Sequence, residues 1–249
     1  VTVSEDLQLI VWDTKTWQVL QTIKDAHTEK ITSVDFSPDG ERIVTGSKDE
    51  EAHIWDWKTG EKKHELYLAD EVNSVAFSPN GKEVITTDWD RTTTRWNSQT
   101  GAEIASFDTD KNYAVAYSSS GTIFATGGDN GDIKLWNTED GRLLKTLEGH
   151  TAIVWDLAFS ANGQKLISGS FDKTAKVWDI QALLLNEFDN AGSEYNSVKF
   201  SPNNRAFAFA NYDGDVELWS VKSKLVQKLR INQEDALEVS GIDFINNGD

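Results

Sequence analysis

Tryptophan recurs along this chain with a period near forty residues. Trp12, Trp55, Trp96, Trp136, Trp178 and Trp219 are separated by 43, 41, 40, 42 and 41 residues. A second aromatic precedes five of them: Phe36, Phe77, Tyr117, Phe159 and Phe200. The step from that aromatic to its tryptophan is 19 residues in all five units. Length varies only after the tryptophan, where the next marker aromatic follows 21 to 25 residues later. A constant segment joined by variable ones is a structural repeat, and periods of this size belong to solenoids, propellers or arrays.

Each unit reads as four short strands. In the first complete unit, residues 31–36 alternate as a strand, Pro38-Asp39-Gly40 turns, and 42–46 return. Lys48-Asp49-Glu50-Glu51 turns again before a third strand over 52–55, and Lys58-Thr59-Gly60 leads to a fourth over 65–68. Short runs with Gly, Asp or Asn at each reversal are what hairpin-linked sheets require. One such meander cannot bury both faces; stacking the meanders radially does. The fold class is therefore all-β, a β-propeller of four-stranded antiparallel blades with six units counted, or a fragment of a seven-bladed or tandem propeller.

The Gly149-His150 pair, the Phe36-Ser37-Pro38-Asp39-Gly40 turn and the Ile54-Trp55-Asp56 ending together resemble the WD-repeat β-propeller family. The likeness covers residues 1–249 as one domain. Residues 1–13 align with the second half of a unit and 238–249 with the first part of one. The two ends are accordingly expected to share one composite blade, which would leave no free sheet edge. The chain starts at Val1 with no Met, so a piece excised from a longer protein is also expected.

Composition narrows the function. Lys and Arg total 24 against 41 Asp and Glu, a formal charge of -17. Such a balance repels phosphate backbones and anionic lipid, so neither nucleic acid nor membrane is an expected partner. Cys is absent, which removes disulfides and thiolate chemistry. The four histidines (27, 53, 64 and 150) show no paired zinc spacing, and no metal or cofactor is indicated. Asn211-Tyr212-Asp213-Gly214-Asp215 alternates oxygen ligands like a calcium loop, but Val216 and Lys222 fall where Gly and Glu are needed. A tight turn is the better reading. A cytoplasmic or otherwise intracellular location is expected.

The resemblance also implies two groups of residues. One is a buried hydrogen-bonded set of histidine, hydroxyl, aspartate and tryptophan, matched by His27, Thr45, Asp49 and Trp55 and by His150, Ser168, Asp172 and Trp178. A His-Asp-Ser set tempts a hydrolase reading, yet its recurrence at fixed offsets in separate units argues for structure, so no catalytic residue is expected. The other group is partner contact. The position before the turn Asp is Glu5, Lys48, Trp89, Asp129, Phe171 and Tyr212. Early strand one supplies Tyr113, Trp155 and Ser240, and two residues before them stand Lys111, Ile153 and Glu238. Exposed aromatics there are what binding hot spots are made of. The expected partner is a protein or peptide, basic ones included. A non-catalytic interaction scaffold is the leading function, ahead of a sensor propeller cut from a larger signalling enzyme.

Overall fold

The computed structural model describes residues 1–3, 7–180, 183–189, 193–221, 225–230, 242 and 244. Every element in it is a strand. Blade I holds β1 (Thr2–Val3), β2 (Leu9–Trp12) and β3 (Val19–Ile23). Blade II holds β4 (Ile31–Phe36), β5 (Arg42–Ser47), β6 (Glu51–Asp56) and β7 (Glu61–Tyr67). Blade III holds β8 (Val72–Phe77), β9 (Glu83–Asp88), β10 (Thr92–Asn97) and β11 (Glu103–Asp108). Blade IV holds β12 (Asn112–Tyr117), β13 (Ile123–Gly128), β14 (Ile133–Asn137) and β15 (Leu143–Leu147). Blade V holds β16 (Val154–Phe159), β17 (Lys165–Ser170), β18 (Thr174–Asp179) and β19 (Leu183–Asp189). Blade VI holds β20 (Tyr195–Phe200), β21 (Ala206–Asn211), β22 (Asp215–Ser220) and β23 (Leu225–Arg230). The six sheets are antiparallel meanders in chain order, the blades of a six-bladed propeller fold.

The chain divides into two compact units, Val1–Tyr117 and Ser118–Asp249. In the first, successive side chains of the inner strands feed different cores, because a strand points alternate residues to opposite faces. Ile43 and Trp55 join Leu9, Val11 and Ile31 on one side of blade II. Val44, Ala52 and Ile54 join Val72, Val75 and Trp96 on the other. Both faces are thus covered, and β5 reads as a nearly continuous buried run rather than an alternating one. Gly46 permits this approach: a Cβ there would lie 2.6 Å from Val72 Cγ1. In the second unit the equivalent core gathers Ile167, Val177, Phe188, Tyr195, Val198, Phe207 and Phe209.

The last strand of each blade is its exposed edge, and in blade II it begins at Glu61 rather than at 65. A register shift between Ile54 and Trp55 adds a residue to β7, so Lys62 and Glu61 pair with Trp55 and Asp56. The same shift recurs beside Trp12, Trp96, Trp136, Trp178 and Trp219. The hairpin before this strand turns through Gly60 at φ +74°, and Gly101 and Gly141 hold the same place. In blade I that place is Trp17, at φ 57° and 70% exposed.

Blade I has three strands among the described residues. The expected composite blade falls on 238–249, which lie outside the described residues apart from 242 and 244, as do Glu5, Glu238 and Ser240. Ile242 N–H donates to Ser197 Oγ at 3.2 Å. Val75 and Val115, each two before its marker aromatic, donate to Ser33 and Ser74 in the same way.

Candidate functional site

Tryptophan and a hydroxyl ten residues earlier meet in five blades. Trp12, Trp55, Trp96, Trp136 and Trp178 donate their indole N–H to Thr2, Thr45, Thr86, Thr126 and Ser168 at 2.9 to 3.0 Å. In blade VI the hydroxyl position is Phe209, and Trp219 turns to Glu217 Oε2 at 3.1 Å instead. In two blades a histidine extends the chain. His27 Nε2 lies 2.7 Å from Thr45 Oγ1 and its Nδ1 3.0 Å from Asp49 Oδ2. His150 repeats this with Ser168 Oγ at 2.7 Å and Asp172 Oδ2 at 2.8 Å.

Donor counting sets the protons. The hydroxyl accepts from the indole, so its own hydrogen goes to Nε2, and Nδ1–H goes to the carboxylate. Both rings are consequently neutral. Burial, with His53 alongside, lowers His27 from 6.5 to about 4. Burial lowers His150 as well. Burial would raise Asp172, but hydrogen bonds from His150, Thr174 and Thr151 hold it well below the usual carboxylate range. Ser168 is fully buried and its oxygen is committed to the indole, so a substrate carbonyl has no approach to it. This set is built to satisfy buried polar groups.

The expected contact residues meet through backbone register. The residue before the turn Asp donates its N–H to the carbonyl eighteen positions earlier: Lys48 to Lys30, Trp89 to Glu71, Phe171 to Ile153 and Tyr212 to Glu194. Between these two partners the first strand carries a β-bulge at Thr32, Asn73, Trp155 and Asn196. A bulge inserts one residue without a pairing partner and re-aims its side chain. In the first unit Trp89 and Tyr113 meet edge to face at 5.7 Å. The Lys111 ammonium sits over the Trp89 ring, 3.2 Å from its centroid. Lys48 is paired with Glu71 at 2.8 Å. In the second unit Trp155 and Phe171 stack at 4.8 Å, with Tyr212 edge-on to Phe171 at 5.7 Å.

These rings are less open than turn tips. Trp89 is 38% exposed and Tyr113 beside it is half-buried, as are Trp155, Phe171 and Tyr212 in the second unit. Neighbouring aromatics in water cover their own faces. Ile153 is also half-buried. The segments 129–132 and 211–215 both form turns, with Asn130 and Asn211 accepting from Asp132 N–H and Asp215 N–H. No helix long and apolar enough to cross a membrane occurs among the described residues. One cluster escaped the sequence reading: Glu51, His53 and Glu65, whose signal is cross-strand register rather than spacing along the chain.

A family profile described as the IFT122 first beta-propeller matches residues 1–240. Periodic tryptophan protein 2 of Saccharomyces cerevisiae is 35% identical over 249 residues, covering 95% of this chain and 25% of its own. A periodic tryptophan protein 2 homolog of Neurospora crassa is 38% identical over 109 residues, 43% of this chain and 12% of its own. Nuclear distribution protein nudF of Aspergillus niger is 30% identical over 180 residues, 72% of this chain and 36% of its own. The chain thus spans between about an eighth and a little over a third of these relatives.

Proposed function

The chain belongs to the IFT122 first β-propeller family, within the WD-repeat proteins, and on that premise we propose that it is a non-catalytic platform for protein partners. The observation that carries the reading is the stacked Trp155–Phe171 pair with Tyr212 at its edge, half-open on the second unit. Aromatic rings held rigid by one another lose little entropy on binding and form the core of hot spots. The Trp89–Tyr113 pair on the first unit is a second contact site, and its occupation by Lys111 makes a partner's ammonium or guanidinium a fitting guest. Ile153, Lys48 and Lys111 complete the candidate contacts. The charge of -17 favours encounter with basic partners and an intracellular role free of nucleic acid and membrane. The buried His150–Ser168 geometry supports a structural role and leaves no reactive hydroxyl there.

The test is quantitative affinity purification with wild type, Trp155→Ala and Phe171→Ala, followed by titration of the strongest interactor. Each variant is expected to lose about 2 kcal/mol of binding, roughly thirtyfold. Because the rings stack, each also loses some stability, and circular dichroism must show that it remains folded. Full binding by both folded variants would remove this surface from consideration.

A further inference from the structure

Glu51 and His53 stand two apart on β6, so they share a face of blade II. The register of β7 sets Glu65 directly opposite His53. One ligand-capable atom from each of the three lies within 4.8 Å of the others. His53 is 2% exposed, and its Nδ1 lies 3.0 Å from the Ala26 carbonyl oxygen. A carbonyl only accepts, so Nδ1 carries a hydrogen and Nε2 is the nitrogen left to face the carboxylates. Nε2 lies 2.6 Å from Glu51 Oε2. A carboxylate oxygen only accepts, so at this distance a proton stands between the two atoms, and a metal ion takes its place only when they part.

Other blades solve this level differently. The same cross-strand pair is Lys176 with Glu187 in blade V, Glu217 with Lys228 in blade VI and Thr94 with Ser106 in blade III. Each of those sets a donor against an acceptor. Blade II instead brings an imidazole nitrogen and two carboxylates together. Lys62 reaches Glu65 Oε1 at 2.6 Å, and Tyr67 donates to Glu65 Oε2 at 2.7 Å, so those two groups compete with or support a further cation there.

We propose that His53 Nε2 and the carboxylates of Glu51 and Glu65 bind a divalent transition-metal ion of the zinc class, with the fourth position open to water or to a partner's side chain. Imidazole with carboxylates suits zinc better than magnesium or calcium, which take all-oxygen shells. Ligand atoms around tetrahedral zinc stand about 3.3 Å apart, given bonds near 2.0 Å, so Glu51 must swing outward from the imidazole. Half-exposed Glu51 can swing, and exposed Glu65 must give up its Lys62 or Tyr67 bond to reach the ion, whereas His53 is held by Ala26 and by stacking on His27 at 4.0 Å. The Ala26 carbonyl on Nδ1 is the outer-shell partner that a metal-bound histidine needs.

The test strips the protein with a chelator and titrates zinc chloride by calorimetry, with cobalt(II) as a spectroscopic substitute. One ion per chain is expected, with visible bands of a tetrahedral nitrogen–oxygen site. Glu51→Gln and Glu65→Gln, both at the outer side of the cluster, should fold and each weaken binding tenfold or more. Absence of stoichiometric binding overturns the proposal, as does undiminished binding by both variants. Nitrogen-15 spectra with excess zinc that find a proton on His53 Nε2 would also overturn it, leaving an imidazolium–carboxylate pair. Binding of zinc does not depend on the aromatic surfaces, so Trp155→Ala should leave it unchanged.

Discussion

Blades II and III follow each other in the chain and bury the same tryptophan in the same way. Trp55 and Trp96 are 4% and 6% exposed, and each donates to a threonine hydroxyl at 3.0 Å. Beyond that bond they part. Blade II continues through His27 to Asp49. In blade III the histidine's place is taken by Leu68, packed against the apolar cluster with Val72 and Trp96, and the turn Asp is exposed Asp90. Blade III also buries Asp88 where blade II has Ser47. The indole–hydroxyl bond is thus the common element, and the imidazole is an optional extension that adds polar partners and a titratable group.

Removing the hydroxyl breaks different numbers of bonds in the two blades. Thr45→Val leaves both the Trp55 indole and His27 Nε2 without Thr45, whereas Thr86→Val affects mainly the Trp96 indole. An unsatisfied buried group costs about 1–3 kcal/mol, so Thr45→Val should lose about 4 kcal/mol and Thr86→Val about half of that. Urea denaturation of both variants measures the ratio. Equal losses would mean that the imidazole contributes nothing to blade II.

Acid should separate the blades next. His27 is held at about 4 in the fold against 6.5 ordinarily, so between those values the unfolded chain takes a proton that the folded one refuses. Its contribution is complete above pH 6.5 and is lost as pH falls towards 4, by about 3 kcal/mol. His150 acts with the same sign. Asp49 and Asp172 are both lowered, so their stabilisation fades only as pH drops below the ordinary carboxylate value. Asp88 of blade III has the opposite sign: burial raises it, and protonation as pH falls relieves the cost of its charge. Denaturation from pH 8 to 4 should therefore show a loss that His27→Gln reduces. An unaltered slope in that variant would place the acid sensitivity elsewhere.

What the sequence told and withheld follows the same division. The 19-residue step runs from the end of the first strand through the second and into the third, whose lengths are set by the sheet, so it could be read as a repeat without coordinates. The family resemblance pointed to the hydroxyl in two units, Thr45 and Ser168, while the same bond at Thr2, Thr86 and Thr126, and its loss at Phe209, came from the structure. The bulges at Thr32, Asn73, Trp155 and Asn196 were not legible, because a bulge is a property of two strands in register. For the same reason His53 and Glu65 did not announce themselves: the extra residue in β7 decides which side chain stands opposite. The half-burial of Trp155 and Phe171 arises from their stacking on each other, which spacing alone does not reveal.

The finest distinction between the blades can be tested by building one into the other. Blade III already holds Thr86, Asp90 and Trp96 at the offsets of Thr45, Asp49 and Trp55; only the histidine is missing. Leu68→His would supply it, eighteen residues before Thr86 as His27 is before Thr45. The substitution gives up part of a leucine's burial, about 1–2 kcal/mol, and gains two hydrogen bonds of about 1 kcal/mol each. Stability at pH 8 should consequently change by about 1 kcal/mol or less. The informative readout is the pH profile. A neutral buried imidazole in blade III would import the sensitivity of blade II, so the variant should lose more stability than wild type between pH 7 and 5. Unchanged acid behaviour would show that the new ring stays solvated, and that the loop around His27, with Thr28 N–H on Asp49 at 2.8 Å and His53 stacked on the ring, is needed to bury it.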